Sequence, residues 1–513
     1  MRVDCGLYTR LFANGRLFAA IAVVAILAGF LTIGFSPSAQ ALPSFARQTG
    51  QPCGTCHTDF PALTPFGRRF KLLGYTTGGG LYRTTPFSSN AGSDARAELD
   101  RLRGYAKAID APAPDGDKTY VPPVSMMAIV GFTHTQADLG QPSDPYKPND
   151  NTVLSPFSAF WGGAITNNIG AFAQVTYNAP PAGGFGDPFG HTWTWDNTDV
   201  RFASTAHIGP LDLIYGITAN NNPTVQDLWN TTPAWSFPYA VSTLAGTPST
   251  KTMIEGAFAA HVGGVGAYTM INDLLYLEVT GYQTLGFKAQ NTLGTDPFGA
   301  PGLFSGVAPY WRAAIEPHWG SHSLMVGTYG MIFNVNPWLD TSGLGPLGTF
   351  SQSDKFTDIG VDAQYQYQGS NYWLTLRANY IREFQRLDAS FAGFSTSPSS
   401  NPTNTVNSLH LQASFAYGGD NRVVFTGQYF DISGTADLLR YGPDPITGNA
   451  LTPNSNGWIG EIAYIPFGTG KAPGWPWFNA RLGLQYTYYN KFNGTTIGAQ
   501  DNNTLFLHAW FAM

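Results

Sequence analysis

The sequence predicts an all-β fold, a transmembrane β-barrel of about 16 strands preceded by a small α-helical N-terminal domain. Charged residues make up only 12% of the chain, whereas about 25% is typical of soluble domains. Aromatic residues reach 14%, and no apolar run after residue 41 is long enough for a transmembrane helix. Short segments with alternating apolar and polar residues follow instead, which is the pattern of two-faced strands. The net charge of −6 gives no indication of a nucleic-acid partner.

The N-terminus has the three parts of an export signal. Arg2, Arg10 and Arg16 supply a basic start, residues 17–35 are almost entirely apolar, and residues 39–41 (AQA) match a small-x-small cleavage site. A retained membrane anchor is the alternative, because an apolar run of this length is just enough to span a bilayer. The cleavage site favours a signal peptide over residues 1–41.

Residues 53–57 carry the motif Cys53-x-x-Cys56-His57, the attachment pattern of c-type haem. The two thiols would form thioether bonds to the porphyrin, and His57 would be the axial ligand of the iron. A redox thiol pair and a zinc site are the alternatives. Zinc needs about four ligands, and the exported part of the chain has no second Cys pair. We therefore expect one covalent haem c.

The distal ligand of the iron is not identified by the sequence. Residues 58–125 contain neither Met nor His, so the position is open, is filled by water, or takes a ligand from the end of the linker or from the barrel. Met126, Met127 and His134 are the nearest candidates, since they lie on the first predicted strand. A Met ligand would raise the reduction potential of the haem.

Basic residues surround the motif at Arg47, Arg68, Arg69 and Lys71. Arginine matches carboxylates bidentately, so these residues are candidates for pairing with the haem propionates, and Arg68 is our choice for a cofactor-binding residue. The alternative for each is a solvated basic patch.

A short helix is predicted directly after the motif, with Thr64 as N-cap and Pro65 at the first helical position. The apolar side chains around it would pack on the haem or form the core of the small domain: Phe60, Phe66, Phe70 and Leu73.

The chain divides into a signal peptide (1–41), a monohaem domain (42–85), a linker (86–123) and a barrel (124–513). Within the linker, residues 93–109 have a helical composition. In residues 358–368, Ile359, Val361 and Ala363 alternate with polar residues, which is typical of a transmembrane strand. The segments of this kind begin near residues 124, 157, 169, 193, 211, 254, 274, 306, 322, 356, 371, 406, 422, 457, 476 and 503.

Short and long connections alternate between these segments. Residues 167–168, 272–273 and 369–370 are examples of the short turns. The connections that alternate with the short turns are long and rich in Pro, Gly, Asn and Ser. This asymmetry is typical of an outer-membrane barrel with periplasmic turns and extracellular loops. A soluble β-sandwich would explain the alternation, but not apolar outer faces that end in Tyr, Phe and Trp. We expect contact with outer-membrane lipids.

The small domain is expected to plug the lumen, because about 45 residues bury a haem poorly and a barrel of about 16 strands leaves an open interior. Polar residues predicted to point inward would face this plug or, as favoured for most of them, line a wet channel: Arg312, Glu316, His318, Arg377, His410, Arg481 and His508.

Residues 43–50 (PSFARQTG), the motif Cys53-x-x-Cys56-His57 and residues 60–75 (FPALTPFGRRFKLLGY) resemble the fused cytochrome–porin outer-membrane proteins. The characterised branch of that family comprises iron oxidases of iron-oxidising bacteria. The resemblance implies Fe(II) oxidation at the cell surface, with electrons passed to periplasmic c-type cytochromes. Its functional residues carry over to Cys53, Cys56 and His57.

Three functions therefore remain open at this stage. The leading one is extracellular electron transfer, with Fe(II) as donor and a periplasmic cytochrome or other carrier as partner. The second is a porin whose haem domain is a plug or redox-controlled gate. The third is a terminal reductase that moves electrons outward. The sequence does not set the direction of electron flow.

Overall fold

The computed structural model describes residues 43–49, 51–76, 123–140, 145–166, 168–177, 192–337, 352–393, 397–444, 446–470 and 475–513. The predicted signal peptide and the predicted helical stretch at 93–109 lie outside these ranges. In the described part of the chain, no helix is long and apolar enough to cross a membrane.

Residues 43–76, here called the plug, form a small domain of three helices and one hairpin. The helices are α1 (Pro43–Thr49), α2 (Cys53–Cys56) and α3 (Pro65–Leu72), and the hairpin pairs β1 (His57–Asp59) with β2 (Ala62–Leu63). The prediction for α3 is confirmed: the Thr64 hydroxyl oxygen accepts a hydrogen bond from the Gly67 N–H at 3.1 Å, and Pro65 is the first helical residue.

The remaining strands form one antiparallel sheet. Its first part contains β3 (Val124–Thr135), β4 (Asn151–Ala164), β5 (Ile169–Tyr177), β6 (Trp193–Ile208), β7 (Leu211–Asn220), β8 (Val262–Ile271), β9 (Leu275–Thr284), β10 (Gly302–Phe304), β11 (Ala308–Ile315) and β12 (His318–Trp319). Its second part contains β13 (His322–Pro337), β14 (Asp354–Gln368), β15 (Tyr372–Arg386), β16 (Thr403–Tyr417), β17 (Val423–Gly434), β18 (Ser455–Tyr464), β19 (Asn479–Lys491) and β20 (Thr504–Ala512). Helices α4 (Phe287–Thr292), α5 (Asp388–Phe391) and α6 (Leu438–Tyr441) lie in long connections.

The sheet closes into a barrel of 16 strands. The strands β10, β11 and β12 all pair with β13, so they act as one interrupted strand. Closure occurs between β20 and β3, where Leu507 is opposite Phe132. A closed sheet has no unpaired edge, which is the condition for spanning a membrane with strands.

The two faces of the barrel differ as predicted. On β14, Ile359 and Val361 are 42% and 51% exposed on the outside, whereas the flanking Asp358 and Asp362 are buried inside. Aromatic rings gather near the short-turn end of the outer face, where Tyr367 packs on Tyr372. An apolar outer band with aromatic residues at its rim faces lipid rather than water. The protein is therefore a transmembrane barrel of the outer-membrane type, and the sandwich alternative is excluded.

Long and short connections alternate around most of the barrel, as predicted. The connection between β18 and β19 is an exception, because residues 465–478 form a longer connection than residues 492–503 between β19 and β20. Two predicted strand starts differ from the observed ones by more than five residues. The start predicted near residue 157 lies at 151, and the start predicted near 254 lies at 262. The second error has a clear cause, because residues 254–261 are mostly apolar but belong to a connection folded into the lumen. Ile254 and Phe258 are 3% and 2% exposed there, in a core with Val262.

That connection, residues 221–261 between β7 and β8, is here called the inner segment. Asp227 organises it by accepting hydrogen bonds from the backbone N–H groups of Trp229, Thr231 and Thr232 at 2.9–3.1 Å. Trp229 is fully buried and packs with Leu72 of the plug. The plug and the inner segment therefore meet inside the barrel.

Candidate functional site

The motif Cys53-x-x-Cys56-His57 forms one tight turn held by the start of α3. The N–H of His57 donates to the carbonyl oxygen of Cys53, which closes the turn. The N–H of Thr64 donates to the carbonyl oxygen of Cys56 at 2.9 Å, and the Thr64 hydroxyl donates to that of Thr55 at 2.6 Å. The two thiols and the imidazole are thus mounted on one hydrogen-bonded frame.

Gly67 allows α3 to approach this frame closely. A Cβ at residue 67 would lie 2.2 Å from the carbonyl oxygen of Cys56, far inside contact distance. Both atoms belong to backbone that is already fixed by hydrogen bonds, so neither can move away freely. The absence of a side chain at Gly67 is therefore a requirement of the motif geometry.

His57 is buried, with 9% of its surface exposed. Its ring lies 5.2 Å from the ring of Phe60, and its Nδ1 atom has no hydrogen-bond partner among the described residues. Burial lowers the pKa of His57 to about 4, although the carbonyls of Pro61 and Ala62 oppose this shift. The ring is neutral at pH 7, which is the form that binds a metal.

The thiols differ from those of a reactive redox pair. No disulfide joins them, and burial raises the pKa of the Cys56 thiol to about 12. A disulfide-exchanging pair needs a lowered pKa, so this chemistry does not fit. A zinc site is not supported either, since the described ranges hold no group of three or more His, Cys, Asp and Glu placed for a metal ion. Two thiols beside a neutral, buried imidazole fit a covalent haem c.

The plug lies at the short-turn end of the lumen. The Gly54 N–H donates to the carbonyl oxygen of Thr469 at 2.8 Å, in the turn between β18 and β19. The Asn421 side chain, in the turn between β16 and β17, donates to the carbonyl oxygen of Thr58 at 2.8 Å. The motif therefore lies at the end of the lumen where the short turns are.

All four basic residues around the motif bind the barrel or the inner segment. Arg47 donates to the carbonyl oxygen of Val124 and lies 4.6 Å from the ring of Trp477. Arg69 forms an ion pair with Asp273, in the turn between β8 and β9. The predicted solvated patch is therefore wrong for these residues.

Arg68, which is predicted to bind a haem propionate, is bonded to the barrel wall in the same way. Its guanidinium pairs with Glu316 and donates to Gln366 at 2.7 Å and to Ser323 at 3.1 Å. The side chain is 3% exposed, and its charge is compensated by the Glu316 carboxylate. Arg68 therefore attaches the plug to the wall and leaves only Nε without a partner among the described residues.

The three candidate distal ligands do not share a face. Met126 is 46% exposed on the outside of β3, and His134 also points outward, where it pairs with Asp150 at 2.8 Å. Both are excluded because the wall separates them from the lumen. Met127 points inward and packs in the cluster that contains Phe60, so it remains a candidate.

Most of the predicted inward polar residues do point into the lumen, but they do not line a wet channel. Among them, Arg312, Glu316, Arg377, Arg481 and His508 are 0–6% exposed. Arg312 pairs with Asp227 of the inner segment at 3.3 Å, and His410 lies 3.3 Å from Glu255 of the same segment. His318 is an exception, since it lies on the two-residue strand β12 with its side chain 40% exposed.

Trp510 and Tyr239 are site residues that the sequence analysis missed. The Trp510 ring lies 4.8 Å from that of Phe60, and Tyr239 packs against the same cluster. The inward position of Trp510 follows from the alternation in β20, but its proximity to the motif depends on contacts far apart in sequence. No sequence signal marks Tyr239, which lies in the inner segment.

No family model and no curated protein matches this chain. Among solved structures, it is similar to OmpF of Salmonella typhi, with a TM-score of 0.41 and 12% identity over 76% of this chain and 97% of that chain. It is also similar to OprB of Pseudomonas putida, with a TM-score of 0.41 and 13% identity over 83% and 99%. OmpT of Vibrio cholerae gives 0.38 and 8% over 76% and 96%. Likenesses of this extent carry no functional argument, and the barrel assignment rests on strand register and the apolar outer face.

Proposed function

We propose that this protein is an outer-membrane cytochrome–porin that oxidises extracellular Fe(II) and passes the electrons to the periplasm. The observation that carries the proposal is the motif Cys53-x-x-Cys56-His57, folded on a fixed frame at the short-turn end of the lumen of a transmembrane barrel. An electron-transfer motif at this position is well placed to pass charge between the two sides of the membrane.

Different residues of the plug would hold different parts of the haem. Cys53 and Cys56 would bind it covalently, and the neutral His57 ring would provide a nitrogen ligand to its iron. When bound, the haem supplies a one-electron Fe(III)/Fe(II) couple. Phe60 and Trp510 exclude water beside the His57 ring, because the three rings pack in series at 5.2 and 4.8 Å.

The filled lumen favours electron transfer over solute diffusion. The plug occupies the periplasmic end, and the inner segment lies behind it with Trp229, Thr224 and Val225 fully buried. Lys71 joins the two through hydrogen bonds of 2.7 Å to the carbonyls of Val225 and Asp227. A lumen packed in this way hinders solutes, whereas an electron needs no open channel. The barrel would also keep the ferric product outside.

The proposed partner is a periplasmic c-type cytochrome or another small electron carrier. The plug lies among the short turns, so a carrier in the periplasm meets it without entering the membrane. Electron flow in the opposite direction, to an extracellular acceptor, is the competing function. The midpoint potential separates the two, since oxidation of Fe(II) requires a strongly positive value.

Peptide mass spectrometry and a pyridine haemochrome assay test the proposal. The chain is produced in a host with c-type haem maturation, and one haem per chain on the peptide with Cys53 and Cys56 is expected. The double variant C53S/C56S should fold as a barrel without covalent haem. Unmodified thiols in the wild type would overturn the proposal. A strongly negative midpoint potential would also overturn it, because Fe(II) could not then reduce the haem.

A further inference from the structure

Unpartnered hydrogen-bond donors gather on the barrel wall opposite the motif. Arg481 and Trp510 are cross-strand neighbours on β19 and β20, and both point into the lumen. They are 0% and 4% exposed. A buried N–H group without an acceptor is unfavourable, so such donors need an explanation wherever they cluster.

Only one nitrogen of the Arg481 guanidinium donates hydrogen bonds to neighbouring side chains. Its Nη2 atom donates to Asp59 at 3.0 Å and to Glu461 at 2.6 Å. Its Nε and Nη1 atoms have no partner among the described residues. Asp59 is two residues from His57 on β1, so the free edge of this guanidinium belongs to the surroundings of the motif.

Arg377 approaches the same region from β15. Its Nε atom donates to Gln364 at 2.8 Å, and its Nη1 atom donates to the Tyr239 hydroxyl at 3.0 Å. Its Nη2 atom is without a partner in the described part of the chain, although the side chain is 6% exposed. Arg377 is close enough to Asp59 to act on that carboxylate electrostatically.

Trp510 connects these arginines to the motif. Its ring packs on Phe60 at 4.8 Å, and Phe60 packs on His57 at 5.2 Å. The indole Nε1–H has no acceptor among the described residues. Burying an indole usually requires an acceptor for this group.

Other buried arginines in the lumen differ from Arg377 and Arg481 because their guanidinium groups lie over aromatic rings. Arg312 also has unpartnered nitrogens, but its guanidinium lies over the rings of Trp229 and Tyr329 at 5.0 and 5.5 Å. Arg201 lies over the ring of Tyr268 at 5.1 Å. No such ring is found for Arg377 or Arg481 in the described part of the chain, so their free N–H groups are the ones available to an anion.

We propose that Arg481, Arg377 and Trp510 of the barrel wall bind the carboxylates of the haem carried by the plug. This inference rests on the proposed function, because it assumes that the motif holds haem. The haem propionates are two carboxylates on one edge of the ring, and guanidinium groups bind carboxylates through charge-assisted hydrogen bonds. The plug and the barrel then share one cofactor, so haem loading strengthens the docking of the plug.

The test compares the variants R481Q, R377Q and W510F with wild type as full-length, membrane-reconstituted protein. Covalent haem content should remain at one per chain, because Cys53 and Cys56 are intact. Resonance Raman bands of the propionate bending modes should shift in each variant. The midpoint potential should fall in R481Q and R377Q, because lost positive charge favours the oxidised haem. We expect a change in the oxidised-to-reduced ratio of at least tenfold, which is about 59 mV for one electron.

Matched controls separate this effect from loss of structure. R386Q removes an exposed arginine, and R312Q removes a buried arginine that serves the inner segment. W510F keeps the ring and loses only the N–H, so it folds even where R481Q leaves Asp59 and Glu461 uncompensated. Unchanged propionate bands and potential in W510F and R377Q, with haem bound, would overturn the inference but leave the proposed function intact. A wild type without covalent haem would instead overturn the proposed function.

Discussion

At Lys71, a buried amine joins the plug to the inner segment. Its Nζ atom donates to the carbonyls of Val225 and Asp227, and it lies 4.8 Å from the ring of Trp235. Burial lowers the pKa of Lys71 from 10.5 to about 7, and Arg201 adds to the shift while nearby carboxylates oppose it. The junction is therefore sensitive to pH near neutrality.

This gives a prediction about stability. Between about pH 7 and 10.5 the unfolded chain holds the Lys71 proton more firmly than the folded one, so this residue makes stability rise with pH. The slope from one group is at most about 1.4 kcal/mol per pH unit. Thermal unfolding across this range should show a smaller slope in K71M than in wild type. Identical slopes would show that Lys71 keeps its ordinary pKa.

Gly67 gives a prediction at the motif itself. In G67A, the added Cβ would collide with the carbonyl oxygen of Cys56, and we expect the docked plug to lose about 1–3 kcal/mol. Less haem should be attached, and protease should cut residues 43–76 more readily. The control is G427A, on the outer face of β17, where an added Cβ has nothing within 4 Å. Equal haem loading in the two variants would contradict the packing argument.

At the scale of the elements, the conformation of the inner segment depends on the side chain of Asp227. Asp227 accepts three backbone hydrogen bonds and pairs with Arg312. Burial alone would raise the pKa of Asp227, but Arg312 and the backbone N–H groups of Trp229 and Thr232 outweigh it, and the pKa is lowered. The carboxylate therefore stays ionised in the lumen down to acidic pH.

Removing this carboxylate should release the inner segment. In D227A the charge of Arg312 loses one of its two carboxylate partners, a type of change that costs about 3–5 kcal/mol. Planar-bilayer conductance should rise relative to wild type, because the segment no longer fills the lumen. The matched control D388A removes an exposed carboxylate paired with Arg386 and should leave conductance unchanged. A D227A barrel as closed as the control would show that the inner segment is held by other contacts.

The strands could be predicted from sequence because their pattern is local. On β14 and β15 the predicted starts, 356 and 371, lie within two residues of the observed ones, since each face alternates without interruption. The start of β8 could not be predicted in this way. Ile254 and Phe258 look like strand residues, but they are buried against other parts of the lumen.

At the scale of the whole molecule, the barrel completes a site that the plug cannot form alone. The motif and the N-cap of α3 were predictable because they lie within a few residues of each other. The partner of Arg68 lies just after β11, and the partners of Asp59 and Phe60 lie on β19 and β20, all of them hundreds of positions away. The sequence reveals that such residues point inward, but their partners depend on how the plug docks.

The central claim is that electrons cross the outer membrane through the plug of this barrel. The most direct test uses vesicles with the long loops outside and a soluble c-type cytochrome trapped inside. Fe(II) is added outside, and reduction of the trapped cytochrome is followed by absorbance. We expect reduction with the haem-loaded wild type and none above background with C53S/C56S, whose barrel still assembles. Equal rates for the two proteins, or no reduction by a wild type carrying one haem per chain, would contradict the claim.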